Sequence, residues 1–191
     1  ATKERVLDLA ALHLRLSQMM RFSSKWRNES KKHLDFSQEL AETLQQKHPD
    51  DKTLLMLVAE ISGSVGDVSH FDKDYSLAKI QYQKQLSLLA PLANDPDQEE
   101  HVEGLIQMHS AYRRLSRLAL AVMDPPEAIG WAEKAVGLAQ KLAALRPSDP
   151  SISRMLAQSY ISLGDVAMAQ KNREGGVDLF SRALELIDKL V

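Results

Sequence analysis

Arg113 and Arg117 stand four residues apart, so on a helix they must share one face. Two guanidinium groups placed in this way can clamp a carboxylate, because each planar fork matches the two oxygens of an acid. A second reading of the pair is internal, with the arginines bridging to Asp67 before them and Asp165 after them. The six histidines are His13, His33, His48, His70, His101 and His109. No two are four residues apart. Three have a carboxylate at that spacing: Glu29 with His33, His70 with Asp74, and Asp97 with His101. Each is an isolated pair, short of the three or four convergent ligands that zinc takes, so no metal and no other cofactor is expected. The run Arg21, Lys25, Trp26, Arg27, Lys31, Lys32, His33 has the charge and one aromatic with which to follow a phosphate backbone. Glu29 interrupts it and no clean apolar face lies opposite, so it reads as a solvated loop and first helical turn. The chain has no nucleophile elbow, phosphate loop or HExxH, and no enzymatic activity is expected.

Charge and composition narrow the classes further. With 24 Lys and Arg against 26 Asp and Glu, the formal net charge is -2, and no global field draws in nucleic acid. The balance is uneven along the chain: residues 1–49 carry 9 basic against 6 acidic side chains, residues 50–98 carry 4 against 8. The absence of cysteine excludes disulfides and thiolate chemistry and fits a reducing cytoplasm or a periplasm; the cytoplasm is the expectation. No run of about 18 apolar residues appears, so membrane insertion is not expected. The start, Ala1-Thr2-Lys3-Glu4-Arg5, has neither a signal peptide nor an initiator methionine, and the chain stops on Leu190-Val191; both ends are expected to be cuts within a longer protein.

The elements that would position these residues follow from helix formers and breakers. Aromatics are 5% of the chain, with 8 Gly and 7 Pro, while Ala, Leu, Gln, Lys and Glu dominate, which favours helices over strands. Proline-bearing breaks fall at His48-Pro49-Asp50-Asp51, Asn94-Asp95-Pro96-Asp97 and Arg146-Pro147-Ser148-Asp149-Pro150, each with residues suited to cap the next helix. Softer breaks lie at Phe22-Ser23-Ser24, Phe71-Asp72-Lys73-Asp74, Asp124-Pro125-Pro126 and Lys171-Asn172-Arg173. The reading is four two-helix repeats, near 1–49, 50–98, 99–149 and 150–191, in a single domain. The first helices are expected near 3–20, 52–70, 99–122 and 151–169. The second are expected near 28–46, 75–92, 126–145 and 174–190, with Pro91 ending or kinking the second of these early.

Phe36, Tyr82, Trp131 and Phe180 recur at intervals of 46, 49 and 49 residues, and Gly66-Asp67 and Gly164-Asp165 lie 98 apart. Such a period marks a stacked helical repeat. The four rings are expected at equivalent repeat junctions, with Leu16, Val65, Leu115 and Leu163 buried beside them. The apolar stripe Leu184, Ile187, Leu190 and Val191, together with Leu7, Leu9 and Leu14 at the other end, is expected to be covered either by further sequence or by a second chain.

The chain resembles the tetratricopeptide repeat, in its long bacterial form. Val65-Gly66, Ala78, Tyr82 and Pro96 match the second repeat, and Leu163-Gly164, Gly176, Phe180 and Ala183 the fourth. The first and third depart, with serine for the glycine and Lys32 and Glu127 at the small-residue position. The resemblance implies an all-α solenoid wound as a right-handed superhelix, with first helices lining a concave groove. Carried over, the groove residues are Glu60, Gly63, Asp67 and His70; Ser110, Arg113, Arg117 and Leu120; Gln158, Ile161, Asp165 and Met168; and Ala11, Leu14, Gln18 and Arg21. Glu60, Asp67, His70, Arg113, Arg117, Gln158, Ile161 and Asp165 are the expected partner-binding set. Leu14 and Gln18 stand where a chaperone-tail clamp needs lysine and asparagine, which argues against that ligand. The implied function is a non-catalytic scaffold holding a protein or peptide; the alternative is a regulatory or self-associating segment of a bacterial signalling protein, dimerising through its terminal repeats.

Overall fold

A computed structural model describes residues 2–21, 23–94 and 98–190. Among them are eight α-helices and no strand, an all-α helical repeat of the α-solenoid class. The chain falls into two compact units, Ala1–Gly104 and Leu105–Val191, each containing two helical hairpins. The N-terminal unit holds α1 (Lys3–Met20) with α2 (Arg27–Lys47), then α3 (Lys52–Phe71) with α4 (Tyr75–Leu89). The boundary at Gly104 falls within α5 (Gln98–Ala121). The C-terminal unit pairs the rest of α5 with α6 (Pro125–Leu145), then α7 (Pro150–Ala169) with α8 (Arg173–Asp188). These bounds lie within a few residues of the expected ones. Two short 3-10 turns were not foreseen, Ser24–Trp26 and Leu92–Asn94. The second follows the early end of α4 before Pro91, which cannot donate the next helical hydrogen bond. Phe22 and the break residues Asp95, Pro96 and Asp97 lie outside the described residues.

Three of the four hairpin turns are one device. Two residues past the end of the first helix stands a residue at positive φ, Lys73 (64°), Met123 (61°) or Lys171 (64°). The next residue is a cap whose backbone N–H reaches back to the helix: Asp74 to the Ser69 carbonyl, Asp124 to Ala119, Asn172 to Ala167. Their side chains then cap the second helix, accepting from Leu77, Glu127 and Gly175 N–H at 3.0 Å. Such caps satisfy amides that the first helical turn leaves open.

The caps set the register of everything downstream. Four residues after each cap stands a small buried residue: Ala78, Ala128 and Gly176, with Ser30 four after Trp26 in the first hairpin. It lies where the two helices cross, opposite Gly66, Ser116, Gly164 and Ser17. Ser30 Oγ donates to the Ser17 carbonyl at 2.8 Å, and Ser116 Oγ to the Ala128 carbonyl at 2.9 Å. Four residues further is a seat over the crossing. Tyr82 and Phe180 occupy it in the second and fourth hairpins, and a Cβ added at Gly66 or Gly164 would meet those rings at 2.4 and 2.7 Å. Glycine inside a helix costs about 1 kcal/mol against alanine; here it makes room for a ring.

The expected equivalence of the four aromatics does not hold. Leu34 and Ala132, both buried, fill the seat in the first and third hairpins. Phe36 is 41% exposed and packs on His13 at 4.6 Å between ring centroids. Trp131 stacks on Tyr112 at 5.8 Å. Nor are Lys32 and Glu127 the small-residue positions; these are Ser30 and Ala128. The physical reason is the crossing residue. Serine carries a Cβ where the ring would lie, so hairpins with serine seat an aliphatic side chain and move their aromatics to the flank. Hairpins therefore alternate, serine then glycine, and each compact unit holds one of each kind.

Two further expectations change. Leu16 is exposed, Val65 and Leu163 half-buried, and only Leu115 of that set is buried. Leu14, expected at an uncovered end and in the groove, is fully buried with Ala10, Leu34 and Ile61 in the N-terminal core. In α3, apolar enough and long enough by composition to cross a membrane at mean hydropathy 1.2, half of the apolar window is buried within the protein. Its apolarity has a ready cause, because α3 packs against α1, α2 and α4.

Glycine substitutions test this account of the crossing. Gly66→Ala and Gly164→Ala should each cost roughly 1–3 kcal/mol by overpacking, with Gly66 worse because Tyr82 is buried and tied by its hydroxyl to Asp67. Gly130→Ala and Gly137→Ala in α6, where a Cβ meets nothing within 4 Å, should stabilise by about 0.5–1 kcal/mol. Urea denaturation of the four variants measures both signs.

Candidate functional site

The polar residues of the first helices lie in lateral ladders within each unit. In the N-terminal unit Gln18 Nε2 donates to Glu60 Oε1 at 2.9 Å and to Ser64 Oγ at 3.2 Å. Arg21 Nη1 donates to Asp67 Oδ2 at 2.8 Å, and the Tyr82 hydroxyl to Asp67 Oδ1 at 3.0 Å. In the C-terminal unit Arg113 Nη1 donates to Gln158 Oε1 at 2.7 Å and Arg113 Nε to Ser162 Oγ at 3.4 Å. Glu60 and Gln158 both stand six residues before the crossing glycine, Ser64 and Ser162 both two before it. The two units thus use the same acceptor positions on α3 and α7.

The expected site residues divide accordingly. Glu60 and Asp67 are held by Gln18 and by Arg21 with Tyr82, and His70 packs edge-on against Tyr75 at 5.5 Å. In the C-terminal unit Arg113 is half-buried and drawn to Gln158, while Arg117, Ile161 and Asp165 are exposed. Of the internal partners considered for Arg113, Asp165 is not the one it meets; it bonds the neutral Gln158 and Ser162. Burial lowers the Arg113 pKa, and Arg117 and Arg114 lower it further. The guanidinium stays charged even so. Its hydrogen bonds leave the positive charge without a carboxylate counterion among the described residues.

The basic first repeat and the acidic second are matched to each other. Lys3 pairs with Asp51, Arg21 with Asp67 at 2.8 Å and Lys31 with Asp72 at 2.6 Å. Arg27 lies over the Phe71 ring at 4.2 Å and Lys25 over Trp26 at 4.9 Å. Most of the basic run is therefore engaged within the N-terminal unit. Glu29 meets Lys32 at 2.8 Å and Asp74 caps α4; Asp97, read beside His101, lies outside the described residues. No group of three or more metal-ligating side chains occurs among the described residues.

Two histidine arrangements were not visible in the sequence, because their partners lie on other helices. His13 Nδ1 and His33 Nδ1 are 2.8 Å apart, so one ring donates and the other accepts; burial and then the charge of His33 lower the His13 pKa. His109 is buried at the position that Ala10, Ala59 and Ala157 fill in the other hairpins, seven residues before the crossing. Its Nε2 is 2.6 Å from Ser159 Oγ. That hydroxyl donates to the Met155 carbonyl, so His109 must donate through Nε2–H. Burial first, then Arg113, pushes its pKa down to about 3.

No protein-family model matches the chain, and no curated protein matches it. Among solved structures, the crystal structure of BtubC (BKLC) from P. vanneervenii is similar over 100% of this chain and 93% of its own, at 18% identity and a TM-score of 0.41. A likeness that shallow says nothing of what this chain binds.

His109 links stability to pH. In the unfolded chain it titrates near the ordinary value of 6.5, whereas folded it stays neutral to about 3. Stability is therefore complete above 6.5 and is lost as pH falls from there toward 3, with a slope approaching about 1.4 kcal/mol per pH unit from this group. Urea midpoints between pH 7.5 and 5 should fall in the wild type and fall less in His109→Gln, which cannot titrate.

Proposed function

We propose that this chain is a tetratricopeptide-like, non-catalytic interaction module, and that its C-terminal unit holds an extended, carboxylate-bearing segment of a protein partner. One observation carries this reading: Arg113 is half-buried, fixed by Gln158 and Ser162, and has no acidic partner of its own among the described residues. A guanidinium already oriented by neutral acceptors loses little side-chain freedom on meeting a carboxylate. Arg117, one turn along, extends the positive face. Gln158 orients the clamp, exposed Ile161 offers apolar contact beside it, and Asp165 discriminates against a second acid at that end. Glu60, Asp67 and His70 take a supporting part in this reading, since their own unit already engages them.

Packed helices lie about 8–10 Å apart, and an extended segment advances about 3.3 Å per residue. Every third side chain of such a segment can therefore address successive first helices, which suits an acidic residue at the arginines followed by an apolar one at Ile161. The alternative role, a regulatory or self-associating segment of a bacterial signalling protein, draws no support from this arginine.

A labelled hexaglutamate peptide tests the clamp by fluorescence polarisation. Arg113→Glu with Arg117→Glu should weaken binding by at least about tenfold, with helicity by circular dichroism unchanged, and wild-type binding should weaken with added salt. Binding that survives the double reversal, or that ignores salt, contradicts the assignment.

A further inference from the structure

Two apolar stripes are left bare within the two units, and repeat equivalence says what each would cover. On α1 the stripe is Leu9, Leu12, Leu16 and Met19, with Leu12 57% and Met19 82% exposed. Counted from the crossing residue, Leu9 and Leu12 correspond in the second hairpin to Val58 and Ile61 of α3, which are buried with Ala41 and Leu44 of α2. In the fourth hairpin Met19 corresponds to Val166 of α7, also buried. The α1 stripe is thus the face that a first helix buries against the second helix of the hairpin before it. On α8 the stripe is Val177, Leu184 and Ile187, with Leu184 60% exposed. Leu184 and Ile187 correspond to Val136 and Ala139 of α6, both buried, and α6 packs on α7.

We infer that the α8 stripe of one copy of this chain docks against the α1 stripe of a second copy, reproducing between molecules the contact that α6 makes with α7. Charge favours this occupant. Gln140 of α6 bonds the Tyr160 hydroxyl of α7 at 3.2 Å; the corresponding residues across the intermolecular contact are Asp188 and His13, a carboxylate that accepts and an imidazole whose Nδ1 already meets His33, so the charge complementarity rests on Arg5. Arg5 stands where α3 and α7 carry the buried Leu54 and Ile152. In the docked copy Arg5 comes to the C-terminal end of α8, where open carbonyls and Asp188 favour a cation. The two surfaces differ, so the contact is heterologous and propagates head to tail instead of closing as a two-fold dimer.

Sedimentation velocity over a wide concentration range tests this, with Leu12→Glu blocking the α1 stripe and Leu184→Glu the α8 stripe. Both side chains are exposed, and circular dichroism checks the fold; Met19→Glu and Val177→Glu are independent blocks of the same two stripes. The wild type should grow beyond the dimer as concentration rises, each variant alone should stay monomeric, and an equal mixture of the two should form a dimer and nothing larger. A wild type monomeric throughout, a variant that still dimerises alone, or a mixture that stays monomeric overturns the inference. The groove arginines are untouched in these variants, so peptide binding should survive them.

Discussion

The crossing of two helices at a small residue governs this fold. Where the helices approach over Gly66 and Ala78, or Gly164 and Gly176, the missing or minimal side chains leave space that a ring four residues on can fill. Burying such a ring contributes about 1.5–3 kcal/mol, which exceeds the cost of the helical glycine. Where serine stands at the crossing, its hydroxyl is satisfied by Ser30 or by the Ala128 carbonyl. The ring is then excluded, and an aromatic pair forms on the flank instead: His13 with Phe36, Tyr112 with Trp131.

That alternation makes the natural period two hairpins. Gly66 and Gly164, Tyr82 and Phe180, Glu60 and Gln158, Ser64 and Ser162 all recur 98 residues apart, and each pair does the same work in its own unit. The ladders on the first helices follow from it. They join consecutive hairpins inside a unit through Gln18 with Glu60 and Arg113 with Gln158. The two ladders differ in how their arginines are met, and the proposed clamp rests on that difference. Arg21 has a carboxylate opposite it, Asp67; Arg113 has an amide and a hydroxyl. An ion pair already satisfied has little to offer a ligand, whereas a cation among neutral acceptors still attracts an anion.

Most of the architecture is legible in the sequence. Proline and aspartate marked the helix ends because one cannot continue a helix and the other caps it, and the helices came out where those residues put them. The register inside the hairpins was not legible from the aromatics, which are the most conspicuous residues but not the ones that set it. Counting eight residues from the capping Asp124 reaches Ala132; following the rings reaches Trp131, one residue away and on another face. In the first hairpin the slip is two residues, from Leu34 to Phe36. The caps were in the sequence all along and were the better ruler. Contacts between helices, such as His109 with Ser159 or Gln18 with Glu60, carry no local signal, because their spacing depends on how the hairpins stack.

The central claim is that the crossing residue and the seated ring are one coupled choice, and a double-mutant cycle on Gly66→Ser and Tyr82→Leu measures that coupling directly. The pair of changes recreates the first hairpin's own combination of Ser17 and Leu34. The account predicts that each single change lowers the free energy of unfolding, and that the double variant is more stable than their sum by about 1–2 kcal/mol. Losses that add to within about 0.5 kcal/mol would show the two positions to be independent and would contradict it.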